Sequence, residues 1–223
     1  KICSCSPFNL EIMVLGMYKV YQKIILACLL LVMTGTVYSQ RVTQTINDGW
    51  KFSLFEGDAS TADFDISGWT DVSIPHTWNA KDADDEIPGY FRGKGWYRKV
   101  VTVEELIPEQ RVYLSFEGAN QETNVFVNGT FVGNHKGGYS AFTFDVTDYV
   151  HAGRNLIAVS VDNSHHPDIA PLSADFTFFG GIYRDVYLVY TSPVQLSTTH
   201  YASSGVYLKA SKITDLQANI SVK

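Results

Sequence analysis

The chain has 223 residues, 45% hydrophobic and 18% charged, the balance of a folded globular protein and not of a disordered one. A formal net charge of −6 without any run of Lys or Arg argues against nucleic acid as a partner, because neutralising phosphates takes clustered cations. The length fits one sizeable all-β domain or two small ones.

Residues 1–39 differ from the rest. Lys19 and Lys23 lie in a short basic region that begins at Met17, Ile24 to Met33 is apolar throughout, and Thr34 to Ser39 is mostly small residues. That order reads as a secretory leader over about 17–39, cut before Gln40, and it predicts export to the periplasm or the medium. The apolar run is too short to span a bilayer comfortably, so no membrane span is expected after cleavage. Lys1 to Gly16 precede the initiator position Met17 and fit translation extended upstream of the true start. Ile25-Leu26-Ala27-Cys28 has the order of a lipoprotein box, but only four apolar residues precede the cut it implies and a further apolar run follows it. Cys3, Cys5 and Cys28 all lie in this stretch, so the processed chain would hold no disulfide.

After Gln40 no helix-period stretch of convincing length occurs. Short alternating runs separated by turn residues continue to the end, the pattern of a sandwich or barrel. Val42 to Ile46 and Trp50 to Leu54 flank an Asn47-Asp48-Gly49 turn. Asp63 to Asp71 is an excursion carrying Trp69 and leading to Val72 to Pro75. His76 to Gly95 shows little regular pattern, and Asp82, Asp84, Asp85 and Glu86 make it an acidic loop long enough to suspect a binding role. Trp96 to Val103 and Val112 to Phe116 are the next strands. Asn124 to Val127 and Thr130 to Val132 enclose Asn128-Gly129, which predicts a type I′ hairpin because both turn residues tolerate positive φ. Phe142 to Val146 and Leu156 to Val161 follow.

Asn163 to Phe179 is a long irregular loop with Pro167 and Pro171. It runs into Asp175-Phe-Thr-Phe-Phe-Gly-Gly-Ile-Tyr-Arg-Asp-Val186, whose first half sets a carboxylate among three phenylalanines. The second half predicts a strand with Ile182, Val186 and Leu188 on one alternation and Tyr183, Tyr187 and Val189 on the other. Eight or more strands with long connections favour a two-sheet jelly roll over residues 40–191. Ser192-Pro193 reads as a boundary. Residues 192–223 then give alternating segments at Val206 to Lys209 and Ala218 to Val222, too few to close a core unaided, and predict the start of a second sandwich.

Six histidines invite a metal reading, above all His165-His166 with Asp168. Adjacent strand residues point to opposite faces and no spaced partner accompanies them, so a solvated loop pair is the better reading and no metal ligand is assigned. Asp82 to Glu86 lacks the turn glycine and spacing of a calcium loop. No nucleophile elbow, phosphate loop or paired-cysteine motif is present, and spacing alone identifies no carboxylate pair of the kind glycosidases use. Asp175 is the carboxylate that stands out, as an Asx-turn or cap on one reading and as a ligand contact on the other. Trp78, Tyr90 and Trp96 suit either sugar stacking or core packing, and Arg184, placed in the strand, suits an ion pair or a hydrogen-bond donor.

Together these residues resemble the N-terminal sugar-binding domain of glycoside hydrolase family 2, which includes β-galactosidases, β-glucuronidases and β-mannosidases. The resemblance runs from Asp48-Gly49-Trp50-Lys51-Phe52 through Ile74-Pro75-His76-Thr77-Trp78, Gly95-Trp96-Tyr97-Arg98-Lys99 and Phe116-Glu117-Gly118-Ala119. Val127-Asn128-Gly129, Gly137-Gly138-Tyr139, Phe144-Asp145-Val146-Thr147, Val161-Asp162-Asn163 and Gly181-Ile182-Tyr183-Arg184-Asp185-Val186 complete it. It implies an all-β jelly roll followed by an immunoglobulin-like sandwich, then a (β/α)₈ barrel holding the two glutamates of a retaining mechanism, which lie outside this chain. It implies that Asp175, six residues before Gly181, reaches into that barrel's pocket and accepts hydrogen bonds from sugar hydroxyls, with Asn163 as a second contact. No cofactor is read, and a structural or active-site cation is the one other ligand left room for in a full-length enzyme. The expected partners are a carbohydrate, most simply a β-galactoside, and the chain's own barrel. A β-glucuronide substrate and a free-standing carbohydrate-binding module are the alternatives.

Overall fold

The computed structural model describes residues 22, 23, 41–82 and 89–223. All but two residues of the leader, its cut before Gln40, the three cysteines, and Asp84, Asp85 and Glu86 lie outside the described residues. Lys1–Tyr38 and Ser39–Lys223 are separate units, and every strand belongs to the second. No described helix is long and apolar enough to cross a membrane.

The strands are β1 (Val42–Thr45), β2 (Trp50–Leu54), β3 (Thr70–Val72), β4 (Lys94–Val103), β5 (Arg111–Phe116), β6 (Glu122–Val127), β7 (Thr130–Lys136), β8 (Phe142–Asp145), β9 (Gly153–Asp162), β10 (Val186–Thr191), β11 (Leu208–Ser211) and β12 (Asn219–Val222). Six form a sheet in the order β3-β2-β4-β9-β6-β7 and four a sheet in the order β1-β10-β5-β8, with all pairs antiparallel. This is the all-β sandwich that the alternation implied. The β11–β12 hairpin pairs only with itself, and all eight of its residues are exposed.

One apolar layer joins the sheets. Trp50, Tyr97, Val101, Val125, Ile157, Val159 and Val161 project from the six-stranded sheet and meet Val112, Leu114, Phe116, Phe142, Val186 and Leu188 from the four-stranded one. The period of two in the sequence is the cause, since alternate side chains of a strand share a face. At the β6–β7 turn Asn128 and Gly129 take φ of 52° and 81°, as the hairpin motif requires.

One departure from the sequence reading matters. The strand expected from Ile182 begins only at Val186. Ile182 is buried, yet its carbonyl accepts from the His76 N–H at 2.7 Å, outside the sheet ladder. Arg184 therefore precedes the strand. It is exposed, makes neither ion pair nor hydrogen bond among the described residues, and rests its guanidinium 5.9 Å from the Tyr183 ring centroid.

The six-stranded sheet is also buried on both faces at its centre. Residues 57–69 fold over its outer side, where Ala59, Trp96 and Ala158 form a small second core with Phe64, Trp69 and Phe126. Trp96 Nε1 donates to the Gly57 carbonyl at 3.0 Å, so this tryptophan is packing and not a sugar platform. Ala158, fully buried, sits where any larger side chain would push this cover away. Ala158→Leu is expected to cost about 1–3 kcal/mol in urea unfolding; a midpoint unchanged from wild type would mean that the cover does not seal the sheet.

Candidate functional site

Two connections meet at one end of the sandwich: that between β3 and β4, described over residues 73–82 and 89–93, and residues 163–185, between β9 and β10. Their meeting point is polar. Asn163 is fully buried, and its side-chain oxygen accepts from the Gly93 N–H at 2.8 Å. Its NH₂ group reaches the carbonyls of Phe178 at 3.0 Å and Phe91 at 3.3 Å, and Oδ1 of Asn79 at 3.4 Å. Asn79, 2% exposed, accepts from the Gly180 N–H at 2.6 Å. It donates to the Phe91 carbonyl at 2.8 Å and to Asp82 Oδ2 at 2.6 Å, and that same Asp82 oxygen accepts from the Phe91 N–H at 2.8 Å. Loop backbone that would otherwise be buried without partners is thus satisfied by two amide side chains.

The Gly180-Gly181 pair sits against this hub. A Cβ on Gly180 would overlap the Trp78 indole, which stacks on Phe52 with centroids 5.8 Å apart and planes 12° from parallel. Gly181 has φ of +120° and would bring a Cβ to 2.5 Å from the His76 carbonyl. It exchanges backbone hydrogen bonds with Asn120 at 3.0 and 3.3 Å, and Asn120 Nδ2 also holds the Phe179 carbonyl at 2.8 Å. Only glycines permit both the backbone conformation and the close approach. Trp78 is consequently a packing residue.

Fixing the root of the loop presents its tip. Asp175 is exposed and makes no hydrogen bond or ion pair among the described residues. The Asx-turn reading therefore has no hydrogen bond to support it. Aromatic side chains surround the neighbouring positions: Phe176 meets Tyr139 edge-on at 6.3 Å and Phe178 at 5.3 Å. The Arg92 guanidinium lies over two rings, 4.9 Å from the Phe178 centroid and 5.3 Å from that of Tyr90. Burial pushes the Tyr139 phenol up, with the nearby Tyr183 and Tyr90 adding to the rise and Arg92 opposing it. Tyr183 is also raised by burial, and its hydroxyl donates to the Gly138 carbonyl.

The two site residues expected from the sequence thus share one loop but not one environment. Asp175 is at the exposed tip; Asn163 is at the buried root with its polar atoms all engaged inside the protein. Asn79, Arg92 and Tyr139 complete the cluster; Tyr139 belongs to the Gly137-Gly138-Tyr139 motif, whereas Asn79 and Arg92 lie in a stretch without regular pattern and carried no signal of their own. The histidine pair divides: His165 is exposed, whereas His166 is half-buried with Nε2 3.6 Å from Glu122 Oε2, and Asp168 pairs with Lys136 at 3.1 Å. The described residues contain no cluster of three or more groups suited to hold a metal ion.

Residues 43–193 match the model of the glycosyl hydrolases family 2 sugar binding domain, and the chain belongs to that family. Its similarity to characterised relatives runs in two directions. Over 198 residues it is 37% identical to a β-glucuronidase of Bacteroides fragilis, covering 87% of this chain and 27% of that protein. It is 39% identical over 191 residues to a β-galactosidase of Thermoanaerobacter pseudethanolicus, covering 81% and 23%. A solved β-glucuronidase of Bacteroides uniformis, in one structure covalently bound to cyclophellitol-6-carboxylate aziridine, superimposes with a TM-score of 0.75 at 42% identity over 82% of this chain and 22% of that one. The chain spans about a quarter of the length of these relatives.

The geometry separates the two residues experimentally. Asn163→Ala removes one acceptor and leaves buried donors and carbonyls unpaired, and is expected to lower unfolding free energy by about 3 kcal/mol or more. Asp175→Ala touches nothing and is expected to change it by less than about 0.5 kcal/mol. Equal destabilisation by the two in urea unfolding would show that Asp175 has a structural role.

His76 gives a pH test. Its Nδ1 lies 2.8 Å from the buried Tyr97 hydroxyl, and burial holds the imidazole below its ordinary value while pushing the Tyr97 phenol up. With the folded-state value depressed, the unfolded chain takes up a proton first as pH falls through about 6.5, so stability drops there and rises with pH. His135, lowered by burial as well, adds to the same slope. Unfolding midpoints at pH 7.5 and 5.5 are expected to differ in that direction, and His76→Gln is expected to flatten the difference; an unaltered slope would remove His76 as its cause.

Proposed function

We propose that this chain is the sugar-contacting N-terminal part of an exported retaining β-glycosidase, in which Asp175 contacts the substrate in a catalytic barrel that lies outside this chain. The observation that carries the reading is an exposed carboxylate with no partner among the described residues, held on a loop whose root is fixed by buried hydrogen bonds. A carboxylate of this kind accepts hydrogen bonds from two sugar hydroxyls, and such charge-assisted bonds are the stronger kind. Pre-ordering the loop means that binding does not have to order it. Asn163 then acts as a positioning residue, holding Phe178 and Gly93 in place, and does not itself touch sugar. Membership of family 2 supports glycoside hydrolysis as the reaction of the longer protein, with the acid/base and nucleophile supplied by the barrel.

The substrate read from the sequence is a β-galactoside, which the Thermoanaerobacter relative's name supports. A β-glucuronide is the second reading. It is favoured by the two glucuronidase relatives, one of which carries a carboxylate-bearing inhibitor in its solved structure. Leader cleavage before Gln40 completes the proposal.

Assays of the 223-residue chain and of the product of the whole reading frame on nitrophenyl β-galactoside and nitrophenyl β-glucuronide separate these readings. The short chain is expected to be inactive and the longer product active on one of the two. Turnover by the short chain, or a longer product inactive on both, would overturn the reading and leave a carbohydrate-binding module. In an active product, Asp175→Ala is expected to lower kcat/KM by at least about tenfold, the loss of one charge-assisted contact. Mass spectrometry of exported material should find Gln40 as the first residue.

A further inference from the structure

Asn128 carries more of the fold than a turn residue needs to. The β6–β7 turn asks only that positions 128 and 129 accept positive φ, 52° and 81° here, which glycine would meet at either place. The Asn128 side chain nevertheless makes three hydrogen bonds. Its Oδ1 accepts from the Leu156 N–H at 2.9 Å, and its NH₂ group donates to the Tyr149 carbonyl and to Asn155 Oδ1, each at 2.9 Å. Its backbone N–H donates to the Leu156 carbonyl at 2.8 Å. One exposed residue thus joins the hairpin to the 3-10 helical turn Thr147–Tyr149 and to the start of β9.

Asn155 is not free to turn over if residue 128 changes. It is fully buried, its Oδ1 also accepts from the His151 N–H at 3.0 Å, and its NH₂ group donates to the carbonyls of His151 at 2.7 Å and Gly153 at 3.0 Å. The site therefore requires donors from residue 128, and a carboxylate there would face two acceptors. Asn128-Gly129 is also the one Asn-Gly pair in the sequence. Such a pair is chemically labile, because a following residue without a side chain lets its nitrogen reach the asparagine amide unobstructed. The Gly129 nitrogen gives up its proton and bonds to Asn128 Cγ. The bond from Cγ to Nδ2 breaks, and the departing nitrogen takes up a proton and leaves as ammonia. Water then opens the cyclic imide at one carbonyl or the other, leaving an aspartyl or an isoaspartyl residue.

We propose that Asn128 is a fold-protected deamidation site: its hydrogen bonds hold the amide away from reaction in the folded chain, and the product formed in the opened chain no longer closes the fold. The turn is open to water, so protection comes from the bonds on the side chain and not from burial. Attack requires the amide to leave its partners and swing toward the Gly129 nitrogen. The reaction therefore runs from the opened hairpin, at a rate set by how much of that state is populated. Aspartate at this position keeps an acceptor for Leu156 and sets a charge against the Tyr149 carbonyl and Asn155 Oδ1. Isoaspartate also adds a backbone carbon to a turn whose flanking residues, Val127 and Thr130, are paired, and so shifts the register. Each reacted chain is then lost from the folded population. In the β6–β9 register Val127 opposite Ile157 marks this end and Glu122 opposite Asp162 the end near the long loops, so the site is independent of what those loops bind.

The test holds the 223-residue chain at mildly alkaline pH in native buffer and in guanidinium chloride, both made with heavy-oxygen water, and follows the peptide containing Asn128 by mass spectrometry. The native sample is expected to convert at least about tenfold more slowly, because only its opened fraction reacts. Equal rates in the two solvents would overturn the protection. Refolding of chains converted in denaturant tests the consequence: the folded yield should fall as the converted fraction rises, and full recovery would overturn the one-way loss. Asn128→Asp is expected to lower the folded-to-unfolded ratio at least about tenfold at neutral pH relative to wild type. The deficit should narrow at about pH 4, where a protonated carboxyl regains one donor. An aspartate variant as stable as wild type would count against the same claim. Asn128→Gly keeps the positive φ, and is expected to lose stability while remaining unmodified at this position. If neither variant folds, the wild-type rates and the refolding yield decide both halves of the proposal.

Discussion

The buried hydrogen-bond hub of Asn79 and Asn163 is the constraint on which the functional end of this molecule depends. A long loop running over a sandwich brings backbone N–H and C=O groups into contact with an apolar core, and each one buried without a partner costs about 1–3 kcal/mol. Here two primary amides, each with donors and an acceptor, satisfy Gly93, Phe91, Phe178 and Gly180 at once. The hub ties Asn79, Asp82, Phe91 and Gly93 to Asn163, Phe178 and Gly180, so the described parts of the two loops support each other's shape. Asparagine suits the position where aspartate does not: a charge at full burial would need a cation, and the carbonyls of Phe178 and Phe91 offer donors nothing but acceptors.

What the hub holds in place is built with little tolerance. Gly180 lies against Trp78 so closely that a methyl group has no room, and Trp78 is itself stacked on Phe52 from β2. The loop is therefore keyed to the six-stranded sheet through one indole. On the far side of that sheet residues 57–69 seal the outer face around Trp96 and Ala158, so β4 and β9, the strands that end one loop and begin the other, are buried on both faces at their centre. The consequence is a rigid base under an exposed tip, the arrangement expected of a site whose residues meet a ligand with little reorganisation.

The tip itself combines groups that a folding chain has no internal reason to combine. An unpaired carboxylate, a guanidinium slotted between two rings and several half-exposed aromatic side chains make a surface able to donate to, accept from and stack against a polar ligand. The chain belongs to glycosyl hydrolase family 2, its match being to the sugar binding domain, and it spans about a quarter of the length of its relatives.

Much of the architecture was legible in the residues alone. Period-two alternation marked nearly all the strands, Asn128-Gly129 marked its hairpin, and the ordered motifs from Asp48 to Val186 marked the family, because strand faces and positive-φ turns are local properties that single residues reveal. The same local logic singled out Asp175. It does not reach what partners distant in sequence decide. Asn163, read as a contact at a strand end, lies at the buried root of the loop, and its four partners lie 15 to 84 residues away. Trp96 and Trp78 pack, the commoner use of aromatics in a β-rich core, and their cover comes from residues 57–69 and from Gly180. Sequence determined the strands, the turns and the family; tertiary structure decided which polar residues face inward, because burial and hydrogen-bond satisfaction are set by whatever the fold brings alongside.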